Sequence, residues 1–549
     1  MPNRRRLADV PRTVWLVTAL WGSLLIGASL VWPMTYGYDE PQHIDMAYVY
    51  SASPLHFYGP GELLPTKANI GMQSLQPGYP PRRPFGATPT PPRGERPSFA
   101  ELGGHQPSQH SQPNQMVQHP PLYYWTAAVV LRLPGVSHLA WDLQVWLMRL
   151  LSVLYLLPVP ALCWATARRL FTAEDDPDRG IHLAVLAAVV PLTVPDLIRD
   201  GSSVTNDSLL ILATSVLLYL LSRVLTGDLS RRTATWVAAS LAVALLTKGF
   251  ALVLPPVVLA AYLVGAYLPR ARRPADGTSP VRAVATPLGI AAAGGVVGGL
   301  WWLRNLIEFH AVQPDGFGPG YQEVLFGPPD NRGALRPFVS GFTRAFAKRL
   351  WGGIGLADDP SPGPVIVYGW LVAVLLGLIA AFVVRARRGD RARFAVLLSS
   401  VVVTTGLVAA GSYHDFRRWS DAIRGAQGRY LYHLIVVVAA VAAIGWVRAV
   451  PPRGRRVLVP AVLLAAVATN AVAWLMLLRS WYAPGSGLGL RALLDRAPVP
   501  AAVTVALVAV LPAALTVLAM TGVIRDGMRP APPMADEPDL ATTPAVPSS

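Results

Sequence analysis

The chain is short of charge and almost without cysteine. Only 14% of its 549 residues are charged and 52% are hydrophobic, where soluble domains carry about 25% charged residues. That balance excludes an ordinary water-soluble globular protein. Cys163 is the sole cysteine, so no intramolecular disulfide can form, and its place inside an apolar block marks it as a small core residue. Acidic residues number 31 against 47 basic ones, for a net charge of +16. The positive excess does not point to nucleic acid, because it lies in short clusters between apolar blocks instead of on one soluble face. A Gly-rich phosphate loop, a heptad seam, a metalloprotease motif and an internal repeat are all missing, so ATP hydrolysis is not indicated.

What is present is a series of apolar blocks of roughly 20 residues, the length that crosses a bilayer. The first, about 13–33, follows Arg4, Arg5, Arg6 and Arg12 and has no A-x-A-type cleavage site after it, so it reads as an uncleaved helix with a cytoplasmic N-terminus. Others fall at about 143–165, 181–198, 208–225, 234–247, 249–269, 283–303, 365–384, 394–412, 429–447, 457–478 and 501–523. Together they make about twelve spans of an all-α polytopic membrane protein over residues 1–529, although 234–269 is tight for two. The clusters Arg168-Arg169, Arg231-Arg232, Arg270 to Arg273, Arg385 to Arg393 and Arg448 to Arg456 then all fall on one side, which the positive-inside rule makes cytoplasmic. Both termini are thus expected in the cytoplasm, in a bacterial plasma membrane. The outer side receives a long first loop, 34–142, and a second, 304–364. The middle of the first loop is dense in proline, which removes donors and fixes φ, so it is expected to be extended and partly mobile. Stretch 122–133 is short for a span and reads as an interfacial or re-entrant helix, and Phe338 to Trp351 as an amphipathic interfacial helix. The Pro/Ala/Thr-rich tail 530–549 is expected to be disordered and cytoplasmic.

The first loop opens with Tyr38-Asp39-Glu40-Pro41-Gln42-His43. Two adjacent carboxylates this close to hydrocarbon must be solvated, paired or used. Side by side they can divide labour, one as general base and the other as metal ligand or substrate orienter. With His43 and Asp45 nearby, Glu40 and His43 are candidate ligands for a divalent cation such as Mg or Mn. The reading in which Asp39 and Glu40 merely end a span stays open at this point. Asp200 and Asp207 form a second outward acidic pair, for which loop solvation and capping of the next helix is the expected role.

Read together, several pieces are more specific. The Asp39-Glu40 pair just after the first span, His119-Pro120-Pro121-Leu122-Tyr123-Tyr124-Trp125, and Arg149-Leu150-Leu151-Ser152 leading to Ala167-Arg168-Arg169-Leu170-Phe171 resemble the C-superfamily of glycosyltransferases. In particular they resemble the branch with the protein O-mannosyltransferases and lipid A aminoarabinose transferases. Gln427-Gly428-Arg429-Tyr430-Leu431 resembles an uncharacterised bacterial family of predicted membrane proteins. The resemblance covers the first 170 or so residues best, and the Pro/Gln-rich insertion departs from it. It implies inverting transfer from a polyprenyl-phosphate sugar to an envelope glycan, lipid or protein hydroxyl on the extracytoplasmic face. Asp39 would be the base, assisted by Glu40. His43, His119, Pro120 and Tyr123 would shape the acceptor side, and Arg149 would brace the site. A departing phosphate needs cations, and Lys248, Arg304, Arg424 and Arg429 are the outward candidates, each of which an interfacial snorkelling role would also explain. Two rivals are a transporter or flippase of lipid-linked glycans and a non-catalytic envelope assembly protein.

Overall fold

A computed structural model of the protein describes residues 10–62, 65–77, 84–109, 113–171, 177–268, 280–318, 321–354, 360–420, 423, 425–483, 485 and 487–528. Arg424, Arg4 to Arg6, the cluster at Arg270 to Arg273 and the 530–549 tail lie outside the described residues. Among the described residues there is no β-strand, only an isolated bridge between Thr66 and Pro107. Ten helices are long and apolar enough to cross a membrane, or eleven with one bent pair.

The chain enters through α1 (Arg12–Val31) and then forms α2 (Glu40–Ala52), α3 (Lys67–Ser74) and α4 (Leu122–Leu131) at one end of the bundle. It re-enters through α5 (Trp141–Leu156) and α6 (Val159–Leu170), which together make one span. α7 (Pro177–Val189) is followed by a 3-10 turn and α8 (Pro195–Gly201). Pro191 and Pro195 interrupt the helical ladder here, and the two halves bend by 74°. Next come α9 (Asp207–Leu225), α10 (Arg231–Leu245), α11 (Leu254–Tyr267) and α12 (Pro280–Phe309). The second large loop carries α13 (Tyr321–Phe326) and α14 (Leu335–Trp351), before α15 (Pro364–Val383) and α16 (Arg388–Arg418). A 3-10 segment, Gly428–Leu434, leads into α17 (Ile435–Ala449), and the chain ends with α18 (Pro452–Leu477), α19 (Leu490–Arg496), α20 (Ala501–Val505) and α21 (Leu511–Met528).

The expected count of about twelve is therefore reduced. α10 has 15 residues, about 22 Å at 1.5 Å per residue, which is short of a bilayer core of roughly 30 Å. Its C-terminal end still returns to the end of the bundle where α9 starts, because Asn206 Nδ2 donates to the Thr247 carbonyl. The innermost spans are α1, α9 and Gly428–Ala449, each 78% buried, while Pro364–Val383, Arg388–Arg418 and Ala501–Asp526 are only 17–28% buried. The inner helices carry the site, and the outer ones present apolar faces.

Where it is described, the first loop is tied to the bundle by arginines. Arg93 and Arg96 reach across to the last turn of α19, where backbone carbonyls have no helical partner. Arg93 Nε donates to Ala497 O at 2.9 Å, and Arg96 Nη1 donates to Arg496 O and Ala497 O at 3.2 Å. Arg96 also forms a buried ion pair with Asp142 at the start of α5. Two arginines thus satisfy a helix end and tie 85–97 to the bundle.

Candidate active site

The turn between α1 and α2 brings two non-glycine residues into left-handed backbone, Thr35 at φ 75° and Asp39 at φ 52°. Such residues persist only where the surroundings over-determine them. Glu40 supplies that constraint. Arg149 donates through Nε to Oε1 at 2.7 Å and through Nη2 to Oε2 at 2.6 Å. The backbone amides of Val204 and Gly37 add bonds of 2.9 and 3.0 Å. Arg149 gives its remaining N–H groups to the carbonyls of Ser29, Trp32 and Pro33. All five donors of the guanidinium fork are satisfied, and both side chains are fully buried. Gly37 fits because a Cβ there would lie 2.6 Å from Ser203.

Glu40 is therefore a staple joining α1, α2, α5 and the segment before α9. Arg149 holds the turn between α1 and α2 through these bonds. His43 Nδ1 lies 3.0 Å from the Tyr124 hydroxyl. Among the described residues no group of three or more His, Cys, Asp or Glu is placed to hold a metal. Glu40 is engaged by Arg149 and two backbone amides and His43 by Tyr124, and no step below is routed through a metal.

Asp39 points elsewhere. Its Oδ2 accepts from Arg429 Nη2 at 2.7 Å and its Oδ1 more weakly from Gln115 Nε2 at 3.4 Å, while 36% of the side chain stays exposed. Burial would raise this carboxyl, but the Arg429 charge and hydrogen bond outweigh it and hold Asp39 below the usual carboxylate range. Arg429 is 7% exposed, and its Nε and Nη1 are buried without a hydrogen-bond partner. Its guanidinium packs on the rings of Tyr38 at 4.2 Å and Tyr430 at 5.5 Å. Gly428 permits this placement, because a Cβ there would lie 2.2 Å from the Leu350 Cα at the end of α14.

Lys248 is the second cation, 5% exposed, with Nζ 2.8 and 2.9 Å from the two oxygens of Asp207 and 6.0 Å from the Tyr430 ring. Asp207 thus pairs with a lysine instead of capping α9, and Asn206 at the cap position makes no side-chain bond to the first turn of α9. Asp200, 1% exposed, has both carboxylate oxygens buried without a partner. Burial, reinforced by the Lys248 charge, pushes His43 down to about 3 and His119 well below its ordinary value, so both imidazoles are neutral near pH 7. A groove of about 760 Å³ starts at Lys248, Tyr430 and His119 and runs between α11 and α16. Its far walls include Leu252, Val403 and Leu407, exposed apolar side chains. One end of the groove is cationic and the other is open hydrocarbon surface.

The other expected residues are not all joined to this cluster. Tyr123 is buried beneath it, its hydroxyl 3.2 Å from Ser152 Oγ. Pro120 is buried where Pro121 caps α4, a position that suits proline. Arg304 sits apart at the end of α12, paired to Glu308 at 2.8 Å and packed on Trp301 at 5.0 Å. Sequence reasoning passed over Tyr432 and Asp196, although Tyr432 continues the Gln427–Leu431 motif. The Tyr432 hydroxyl lies within hydrogen-bond reach of Asp196 Oδ2, at 2.9 Å, and of Leu350 O, at 3.0 Å, and its single proton pins the 3-10 segment beside α8 and α14.

A family model described as "Predicted membrane protein (DUF2142)" matches residues 23–438. No curated protein matches the sequence. Among solved structures, the chain is similar to ArnT from Cupriavidus metallidurans bound to undecaprenyl phosphate, with 16% identity, 94% of this chain and 75% of that one covered, and a TM-score of 0.45. It is also similar to an oligosaccharyltransferase from Archaeoglobus fulgidus at 12% identity, 84% and 53% coverage and a TM-score of 0.40. For the arabinosyltransferase EmbB from Mycobacterium smegmatis the values are 13%, 96% and 42%, and 0.37.

Proposed function

We propose that this chain, which belongs to the DUF2142 family of predicted membrane proteins, transfers a sugar from a polyprenyl-phosphate carrier to a hydroxyl of a cell-envelope acceptor, with inversion. The observation that carries the reading is the half-used guanidinium of Arg429. One nitrogen holds Asp39 while two others are buried and unpartnered. A buried donor without a partner calls for an explanation, and a phosphate oxygen is the natural one. The neighbouring groove leads from Lys248 and Tyr430 to exposed apolar side chains, which suits a lipid tail attached to that phosphate.

The resting ion pair sets the order of events. A carboxylate held by a guanidinium is a weak base, because its pairing lowers its proton affinity. A donor phosphate on Arg429 would compete for that guanidinium and make Asp39 more basic only when donor is bound. Asp39 then takes the acceptor proton, and the acceptor oxygen attacks the anomeric carbon from the face opposite the phosphate. The carbon–oxygen bond to phosphate breaks, and polyprenyl phosphate leaves with its charge held by Arg429 and Lys248. His43 and His119, neutral, add polarity without competing for the phosphate.

The broken helix favours a second reading. A 74° break beside buried Asp196, Arg199 and Asp200 is also a feature of transporters, which place discontinuous helices at their binding sites. A flippase of lipid-linked glycans would move the carrier without cleaving it. Sugar transfer from a panel of polyprenyl-phosphate sugars by purified protein separates the two: product formation supports the transferase, and movement of intact carrier across a vesicle membrane without product supports the flippase.

A further inference from the structure

We infer that the loops beside Asp39 form a sugar-binding subsite, so that the acceptor hydroxyl belongs to a glycan; this rests on the transfer reading above. A pocket of about 270 Å³ lies between α2, α3 and the chain leading to α4, lined by Gln42, Asn69, Gln73, Ser74 and Asn114 with two prolines and one isoleucine. That volume holds roughly nine waters at about 30 Å³ each, the scale of one sugar ring.

The lining carries no charge. Carboxamides and a hydroxyl each offer donors and acceptors, which matches sugar hydroxyls, whereas an anionic ligand would find no cation here. The polar groups are also partly fixed in advance. Asn114 Nδ2 donates to Gln42 O at 3.0 Å and to Asp45 Oδ2 at 3.1 Å, and its Oδ1 accepts from Met116 N at 3.0 Å. Gln73 Nε2 donates to Asn69 Oδ1 at 3.3 Å. Gln42 Oε1, by contrast, is buried without a hydrogen-bond partner. Leaving such an acceptor unpaired is costly, and a ligand hydroxyl would satisfy it.

The pocket is tied to the base at two points. Gln42 lies three residues after Asp39, on the first turn of α2. Asn114 is followed by Gln115, whose Nε2 donates to Asp39 Oδ1 at 3.4 Å. A sugar ring held by Gln42 and Asn69 would therefore present a neighbouring hydroxyl toward Asp39. The walls come from polar loops, while the apolar groove beyond Lys248 lies between α11 and α16, so the two substrates approach from separate sides.

The test uses full-length protein in nanodiscs and saturation-transfer NMR with methyl glycosides of hexoses and pentoses and a linear trisaccharide. Undecaprenyl phosphate binding is measured in parallel. Saturation transfer to ring protons is expected with wild type, weakened at least tenfold in apparent affinity in Gln42→Leu and in Gln73→Leu, with undecaprenyl phosphate binding unchanged. Gln73 is exposed, so its substitution keeps the test independent of folding. No transfer to any glycoside in wild type, or equal transfer in both variants while undecaprenyl phosphate still binds, overturns the subsite. Wild type that fails to bind undecaprenyl phosphate overturns the transfer reading itself and this inference with it.

Discussion

Two neighbouring carboxylates have opposite assignments here, and exchanging each for its amide separates them. Glu40 accepts four hydrogen bonds, two from Arg149 and two from backbone amides, at zero exposure. Glu40→Gln keeps the shape but turns an NH₂ group toward donors and leaves the Arg149 charge uncompensated. Breaking one side of a buried pair costs about 3–5 kcal/mol, and a stranded amide adds ~1–3 kcal/mol. Asp39 is 36% exposed and makes one short bond, and an asparagine oxygen can still accept from Arg429, so Asp39→Asn costs less than breaking the fully buried pair even though Arg429 loses its counter-charge. Asparagine also tolerates the left-handed φ of 52° at this position. Thermal unfolding in detergent should therefore place Glu40→Gln well below wild type and Asp39→Asn between the two. Equal melting temperatures for the two variants, or a larger fall for Asp39→Asn, would refute the division of labour.

Three further outcomes follow from the same geometry. Arg429→Gln removes two unpartnered donors, and charge-assisted bonds are worth about 1.5–3 kcal/mol each, so undecaprenyl phosphate affinity measured by native mass spectrometry should fall at least 100-fold, roughly 2.7 kcal/mol. His43 has a folded pKa of about 3, below its unfolded value of 6.5. Its contribution to stability is therefore complete above pH 6.5 and lost as pH falls toward 3. By linkage this amounts to at most ~5 kcal/mol, so the pH dependence of unfolding between pH 6.5 and 4 should be shallower in His43→Gln. Gly428→Ala would put a Cβ 2.2 Å from Leu350 Cα, so the shifted Arg429 should reduce transfer although Gly428 itself touches no ligand; turnover at the wild-type rate would show that this close approach does not position Arg429.

The all-helical membrane class was legible from apolar blocks of spanning length, and the first-loop carboxylates from their position after α1. Arg149 was legible as a brace. The roles within the Asp39-Glu40 pair were not, because a φ of 52° at Asp39 sends successive side chains in different directions, and spacing carries no record of that. The Arg429–Asp39 pair joins residues 390 apart, so only the fold brings them together. Lys248 read as an outward cation, but its partner Asp207 read as a helix cap, since an acid at a helix start fits both roles until the tertiary contact is known. Arg304 read like Lys248 because both follow apolar blocks; an aromatic nest of Trp301, Phe57 and Phe309 holds it elsewhere. The first loop looked mobile because proline removes backbone bonds, and the missing order came from arginines bonded to carbonyls some 400 residues away.

The most direct measurement is sugar transfer from polyprenyl-phosphate sugars by purified wild type and by Asp39→Asn, with undecaprenyl phosphate binding measured on the same samples. The account predicts turnover by wild type and its loss, with carrier binding retained, in an Asp39→Asn variant that stays folded. Turnover that survives Asp39→Asn would contradict the assignment of the base, and carrier binding without turnover in wild type would contradict the transferase.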